Sequence, residues 1–260
     1  MKKVLSIVTV CFNSEKTIRK CIESVIPQLT DEVEYLFIDG KSTDKTVEII
    51  SSYKKYGVRV ISEKDNGIYD AMNKGIKLAS GEWIWFINSD DYITEGLIDT
   101  IITTVKKYPN AGCVYGNMEY VRIINGKCYM EVKNAPDSLT GLKNEMIIGH
   151  PSTVCKTEVI KYLGGFDCNF KITADWDLLL RIYNAGYQMI HVDKTLSRFY
   201  CGGASSKNHN RERHLVRKKN HSYKLIDFHW IKDIIKEVIL SSFLGKMIIK
   251  NHIAVSQEVK

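Results

Sequence analysis

Apolar residues in the first hundred positions fall into short runs divided by stretches of helical periodicity. Val4 to Val10 is a nearly continuous apolar run of strand length. Behind it, Ile18, Cys21, Ile22, Val25 and Ile26 recur at three- and four-residue spacing within 15–26, with Asn13-Ser14-Glu15 as a start and Pro27 as a stop. The alternation then repeats. Tyr35 to Asp39 reads as a strand, and Ser42-Thr43-Asp44 as a capping signal for a helix reaching about Tyr53 with Val47 and Ile50 inward. Val58 to Ser62 reads as a third strand, 70–80 as a helix, and Trp83 to Ile87 as a fourth strand. Strands alternating with helices of this length predict an α/β fold with a mostly parallel sheet and crossover helices.

After a helix expected over 94–107, the pattern changes. Cys113 to Val121 and Lys127 to Val132 predict strands joined through Asn125-Gly126, a strong hairpin signal, so the second part is expected to be mixed and partly antiparallel. Helices are expected over 157–163, 175–185 and 210–226. A final one over 230–249 sets Ile231, Ile234, Ile235, Val238 and Ile239 against Lys232, Asp233, Lys236 and Glu237, and its charges break every apolar run short of membrane-spanning length.

The candidate chemistry lies where strands stop. Asp39 ends the second strand, Asp65 and Asp70 flank the loop after the third, Asp90 and Asp91 end the fourth, and Asp175 opens a later helix. Singly, Asp39 is a turn former, Asp70 a helix cap and Asp175 a first-turn acid favoured by the helix dipole. Together they would share one edge of a doubly wound sheet, where ligands collect, and paired carboxylates there suit Mg²⁺ or Mn²⁺ holding a phosphate-bearing substrate. Neither a G-x-G-x-x-G nor a Walker A sequence follows the first strand, where the residues are Thr9-Val10-Cys11-Phe12-Asn13-Ser14. Carboxylates with a metal are therefore the device available for holding a nucleotide.

Composition changes this picture little, and charge changes it more. With 44% hydrophobic and 26% charged residues in 260, the chain is long enough for one sizeable core with an appendage and leaves little room for long disorder. Its seven cysteines are odd in number and lack C-x-x-C spacing, which argues for reduced thiols and against a disulfide framework or structural zinc site. MKKVLSIVTVCF imitates a signal peptide, but no small-residue cleavage site follows, so it is read as a first core strand. The net charge of +7 sits in the tail: residues 1–204 hold 25 basic and 25 acidic residues, residues 205–260 hold 12 and 5. A basic tail suits an anionic surface, whereas an acidic cleft without metal would repel nucleic acid.

The ordered motifs resemble those of family 2 glycosyltransferases of the GT-A fold. The resemblance runs from Val4 to about Ser206 and rests on Ser6 to Asn13, on FIDGKSTDKT (37–46), SEKDNGIYDAMNKGI (62–76), INSDD (87–91), GHPSTV (149–154) and GGFDCNFKITADWDLLLRI (164–182). SEKDNGIYDAMNKGI resembles a subgroup associated with bacterial surface polysaccharide synthesis. The resemblance implies a metal-dependent inverting hexosyltransferase that moves sugar from a nucleotide sugar, a UDP-sugar by expectation, to a glycan acceptor that is lipid-linked. It implies a GT-A catalytic domain over 1–204, with a nucleotide-sugar half (1–110) and an acceptor half (111–204), a helical extension over 205–260, and a place in the cytoplasm or on the inner face of the membrane. Asp175 would be the catalytic base; Val10, Phe12, Asp39, Asp65, Asp70, Asp90 and His150 would meet the nucleotide sugar; Asp90 and Asp91 would bind Mn²⁺ or Mg²⁺, with the direct ligand left open between them. Gly40 stands where many relatives carry a second acid, and Ala174 where a glutamate is common, so only Asp175 is carried over as base.

Three further points are expectations from the residues. Asp177 and Arg181, one turn apart, are spaced as a supporting pair. Gly202-Gly203 with Ser205-Ser206 reads as a loop over the donor or a plain solvent loop. The basic helix from His209 and the terminal amphipathic helix fit either anionic lipid or a protein face. Two alternatives to transfer are a sugar-1-phosphate nucleotidyltransferase, which would want a glycine-rich phosphate loop, and a carbohydrate-binding protein on the same sheet, against which Asp90, Asp91 and Asp175 together count.

Overall fold

The computed structural model describes residues 2–125, 127–202 and 210–222. The terminal helix expected over 230–249 and the loop at Gly203, Ser205 and Ser206 lie outside the described residues, as does Gly126 of the hairpin. In chain order the elements are β1 (Leu5–Cys11), α1 (Ile18–Val25), β2 (Val33–Asp39), α2 (Thr46–Ser51), β3 (Arg59–Ser62), α3 (Ile68–Leu78), β4 (Trp83–Phe86) and α4 (Leu97–Lys107). They continue as β5 (Cys113–Ile124), β6 (Lys127–Lys133), β7 (Thr153–Lys156), α5 (Thr157–Tyr162), α6 (Ala174–Asn184), β8 (Met189–Tyr200) and α7 (Asn210–Lys219).

The described strands form one eight-stranded sheet in the order β3-β2-β1-β4-β7-β5-β6, with β8 paired to β5. The four N-terminal strands are parallel, and β7 runs antiparallel to both β4 and β5. β1 and β2 are buried along their whole length, because a central parallel strand is covered on both faces. Period two then sorts their side chains. Leu5, Ile7, Tyr35, Phe37, Trp83 and Trp85 pack with α1, α2 and α4, while Val8, Val10, Leu36, Ile38, Ile84 and Phe86 pack with α3, α5 and α6. Gly75 lets α3 lie close on β1, since a Cβ there would stand 2.7 Å from Val8 Cγ1.

β5 is long enough to pair with β7 through Cys113 to Tyr115 and with β6 through Met118 to Ile124, while β8 takes its other edge. The expected hairpin is present, with Asn125 at φ 52°. Strands β7 and β8 were not among the expected elements. The helix expected over 210–226 stops at Lys219, and α7 packs on the body through buried Val216 and Arg217. Among the described residues, no helix is long and apolar enough to cross a membrane.

Candidate active site

The strand order reverses between β1 and β4, the switch point at which open α/β sheets bind ligands. The strand exits there are held together. Ser14 Oγ lies 2.8 Å from Ser89 Oγ, Cys21 donates to the Asn88 carbonyl, and Tyr92 bridges to Arg198 near the end of β8. Two cavities open on this edge. One, of about 390 Å³, is lined by Val10, Phe12, Asp65, Asp90, His150 and Asp175 among others; the second, of about 420 Å³, lies against β5, β6 and 145–151. They share His150, Pro151, Ile172, Asp175 and Phe199, so Asp175 stands at the junction.

Three of the expected acids do not reach the first cavity. Asp39 is fully buried and accepts hydrogen bonds from Ser42 N at 3.0 Å and from the Ser42 and Ser62 hydroxyls at 2.5 Å each, so its carboxylate closes the turn after β2. Ser42 thereby serves Asp39 rather than the helix, and Asp44 takes the Thr46 N–H at 3.0 Å instead. Asp70 reaches back along α3 to Asn66 N at 2.9 Å, which satisfies a helix-start donor. Asp91 is 1% exposed and accepts from Asn88 Nδ2 at 2.9 Å and Tyr200 N at 3.2 Å. Burial, with the Asp90 charge beside it, pushes its pKa up to about 8. Asp90, by contrast, lines the cavity, and partial enclosure raises its pKa.

Gly40 acquires a structural reason. A Cβ at that position would stand 2.5 Å from Asp65 Oδ2 and 3.4 Å from the Phe12 ring, so glycine leaves room for the Asp65 carboxylate at the cavity wall. Phe12 is 61% exposed there, an open aromatic face at a polar site.

Asp175 is in the first turn of α6, where the helix dipole favours a carboxylate. Its Oδ1 accepts from Trp176 N at 2.8 Å and from Tyr69 Oη at 3.2 Å. Tyr69 also donates to the Ile172 carbonyl at 2.6 Å. Burial, reinforced by the Asp175 charge, holds the Tyr69 phenol pKa well above normal, so it remains a donor. From the other side, Glu212 of α7 accepts from the backbone N–H groups of Lys171, Ile172 and Thr173 at 2.8, 2.9 and 3.2 Å and from Thr173 Oγ1 at 3.1 Å. The loop feeding the helix of Asp175 is thus clamped between Tyr69 and Glu212. The pair Asp177–Arg181 is present at 2.9 Å, and Lys219 and Asn220 each reach Asp177 at 2.9 Å.

His150 begins a short 3₁₀ turn before β7 and is 7% exposed, stacked on Phe86 at 5.6 Å and edge-on to Phe166 at 5.5 Å. Its Nε2 is buried without a hydrogen-bond partner, and burial lowers its pKa to about 4, so the ring is neutral near pH 7. Tyr69, Lys171, Tyr200 and Glu212 were not singled out by sequence reasoning. The first two lie within the quoted motifs, whereas Glu212 in a basic helix offers no local signal.

The family model "Glycosyl transferase family 2" matches residues 6–153, more than half of the chain. The chain belongs to glycosyl transferase family 2. It is a glycosyltransferase, as its motifs led us to expect, in place of the two alternatives. A PGL/p-HBAD biosynthesis glycosyltransferase of Mycobacterium bovis is 26% identical over 185 residues, 70% of each chain. Glycosyltransferase GlyG of Streptococcus pneumoniae is 25% identical over 241 residues, 91% of this chain and 78% of that one. Among solved structures, residues 1–349 of S. aureus TarS in complex with UDP-GlcNAc superpose with a TM-score of 0.68 at 19% identity, over 92% of this chain and 73% of that one. The mannosyltransferase PcManGT of Pyrobaculum calidifontis, in complex with GDP-Man and Mn²⁺, gives 0.61 at 15% identity, over 99% and 81%. At these identities the likeness establishes the fold, which is GT-A.

Proposed function

We propose that this family 2 enzyme moves a sugar from a nucleoside-diphosphate sugar to a hydroxyl of a lipid-linked glycan, with inversion and with help from a divalent metal, during surface polysaccharide assembly. The observation that carries the reading is that Asp175 lines both cavities, one at the β1/β4 switch point and one against the β5–β6 hairpin. We assign the first to the donor and the second to the acceptor, so residues 1–110 hold the donor and residues 111–204 most of the acceptor site. The names of the relatives and solved neighbours, with UDP-GlcNAc and GDP-Man bound in two of them, support a nucleotide-sugar donor.

A sugar hydroxyl is a poor nucleophile near neutral pH. Asp175 takes its proton as the hydroxyl oxygen bonds to the anomeric carbon and the bond to the diphosphate oxygen breaks, with the electron pair leaving on the nucleoside diphosphate. Attack from the acceptor side, opposite the leaving group, inverts the centre. Tyr69 fixes the carboxylate orientation through Oδ1. Phe12 offers a stacking face for the base, and Asp65, rather than buried Asp39, faces the nucleotide.

Among the described residues, no cluster of three or more metal-ligating side chains exists, so an all-protein metal cage does not fit. A donor set of one carboxylate completed by diphosphate oxygens and water does fit Mg²⁺ or Mn²⁺, and Asp90 is the carboxylate placed for it. When bound, such an ion offsets charge building on the leaving diphosphate. Asp175→Asn should cut transfer by about 10²–10⁴-fold while nucleotide still raises the melting temperature as in the parent. Retained turnover would remove Asp175 as the base, and absence of binding across nucleotide sugars with Mn²⁺ would overturn the donor reading.

A further inference from the structure

The described residues leave eleven large hydrophobic side chains exposed, and five of them, Ile123, Ile124, Tyr129, Met130 and Val132, fall within the ten residues at the tip of the β5–β6 hairpin. Exposed apolar surface concentrated in this way marks a binding surface. The pairing register divides the hairpin into two faces. Met118 opposite Lys133, Tyr120 opposite Glu131 and Arg122 opposite Tyr129 share one face, and Met118, Tyr120, Arg122 and Lys133 line the acceptor cavity. The other face carries Val121 opposite Met130 and Ile123 opposite Cys128. Beyond the cavity, the tip therefore shows apolar side chains on both faces, Ile124 and Tyr129 on one and Ile123 and Met130 on the other. A second copy or a protein groove would cover one face of such a ribbon. Immersion in a lipid interface covers both.

Charge selects the kind of surface. Residues 120–133 carry Arg122, Lys127 and Lys133 against Glu131 alone, and Glu131 is engaged by Arg122 at 3.0 Å. A net positive ribbon with a tyrosine and aliphatic residues at its end is the composition that anionic interfaces attract and then bury. Pairing with a second copy through the β6 edge about Met130 would set Lys127 opposite Lys133, a like-charge clash.

We infer that the β5–β6 hairpin tip docks the enzyme on an anionic bilayer and so brings the acceptor cavity, whose wall is the base of the same hairpin, to the lipid surface. This rests on the acceptor reading above only for its purpose. Docking itself requires neither donor nor acceptor.

The test uses the full chain, without nucleotide or acceptor, and phosphatidylcholine vesicles with or without phosphatidylglycerol. The protein should sediment with the anionic vesicles, and Ile123→Ser with Met130→Ser should lower that binding about tenfold or more with an unchanged melting temperature, since neither side chain is buried. Exposed Cys128, labelled with an environment-sensitive fluorophore in a Cys168→Ser, Cys201→Ser background, should brighten and shift to the blue on anionic vesicles only. Absence of vesicle binding overturns the inference. So does binding that the double variant leaves intact, or sedimentation with the Cys128 probe still in water, because contact would then lie elsewhere on the chain. Concentration-dependent self-association that the double variant abolishes would assign the hairpin to a second copy instead. If docking holds but Asp175→Asn retains transfer, only the catalytic reading falls.

Discussion

At the scale of single residues, position in the sequence placed carboxylates at the strand ends, but nearby donors decide which way each one points. Asp39 is drawn inward by three donors from Ser42 and Ser62, Asp70 by Asn66 N, and Asp91 by the Asn88 amide and Tyr200 N of β8, whereas Asp65 and Asp175, each accepting a backbone N–H from its own turn, and Asp90 line the cavity. Gly40→Ala tests the space left for Asp65. The added Cβ meets the end of a flexible side chain, so stability should change by less than about 1 kcal/mol, while the donor KM rises several-fold with kcat little altered. Steady-state kinetics against a melting curve separates the two. His150 gives a pH signature. Its pKa is about 4 when folded and near 6.5 in an unfolded chain, so the unfolded state binds the extra proton between these values. The stability it allows is complete above pH 6.5 and lost as pH falls through 4, by about 3 kcal/mol in total. Denaturant titrations of wild type and His150→Asn should therefore converge or cross in this window, with the difference flat above pH 7. The ring stacks on Phe86 and edges Phe166, and the carboxylates lining the two cavities it borders are Asp65, Asp90, Glu145 and Asp175.

Elements were legible in proportion to how cleanly their period stood out. β1, β2 and β4 are short, nearly continuous apolar runs and the helices α1, α3 and α4 have apolar residues at three- and four-residue spacing, and each lies within a few residues of its expected place. β7 has only four residues, too few for a period, and β8 mixes half-buried and polar positions because one stretch of it lies near the surface. The clamp on α6 was not legible at all, because Glu212 lies 37 residues beyond Asp175 in a helix whose charges suggest only a solvated surface. Its geometry makes it a positioning residue: it touches the backbone of 171–173, and Asp175 follows in the next turn. Glu212→Gln keeps the shape and some acceptor capacity but loses charge-assisted bonds, each worth more than a neutral one. Transfer should fall about tenfold or more in kcat with donor KM held, and the acidic limb of the kcat–pH profile should move, because Asp175 is then oriented less well. Glu212→Asp should recover less than Gln if reach matters more than charge. A fall in melting temperature with an unchanged pH profile would leave Glu212 a purely structural clasp. Loss of the neighbouring charge is a separate effect: Asp177→Ala leaves Arg181 and Lys219 facing a vacated, fully buried position and should cost about 2–3 kcal/mol without moving that profile.

For the molecule as a whole, one continuous sheet carries both cavities, so the sites we propose for donor and acceptor are related through β4, β7 and β5 rather than lying on separate sheets. Their linings nonetheless overlap only at His150, Pro151, Ile172, Asp175 and Phe199, which makes the two binding steps separable by substitution. Phe12→Ala removes an exposed ring from the donor side alone. Loss of base stacking is worth about 1–3 kcal/mol, so the donor KM should rise roughly tenfold while the acceptor KM stays as it was. Ile147→Trp adds bulk on the acceptor side alone, into a cavity of about 420 Å³, and should raise the acceptor KM with donor binding and nucleotide-induced thermal stabilisation intact. The nucleotide-induced rise in melting temperature should also shrink when divalent cations are chelated, and more so in wild type than in Asp90→Asn, since only the former retains the carboxylate placed to share an ion with the diphosphate. If Phe12→Ala and Ile147→Trp shift the same Michaelis constant, the assignment of one cavity to each substrate is wrong, and the site is a single chamber in which Asp175 sits at the middle rather than at a junction.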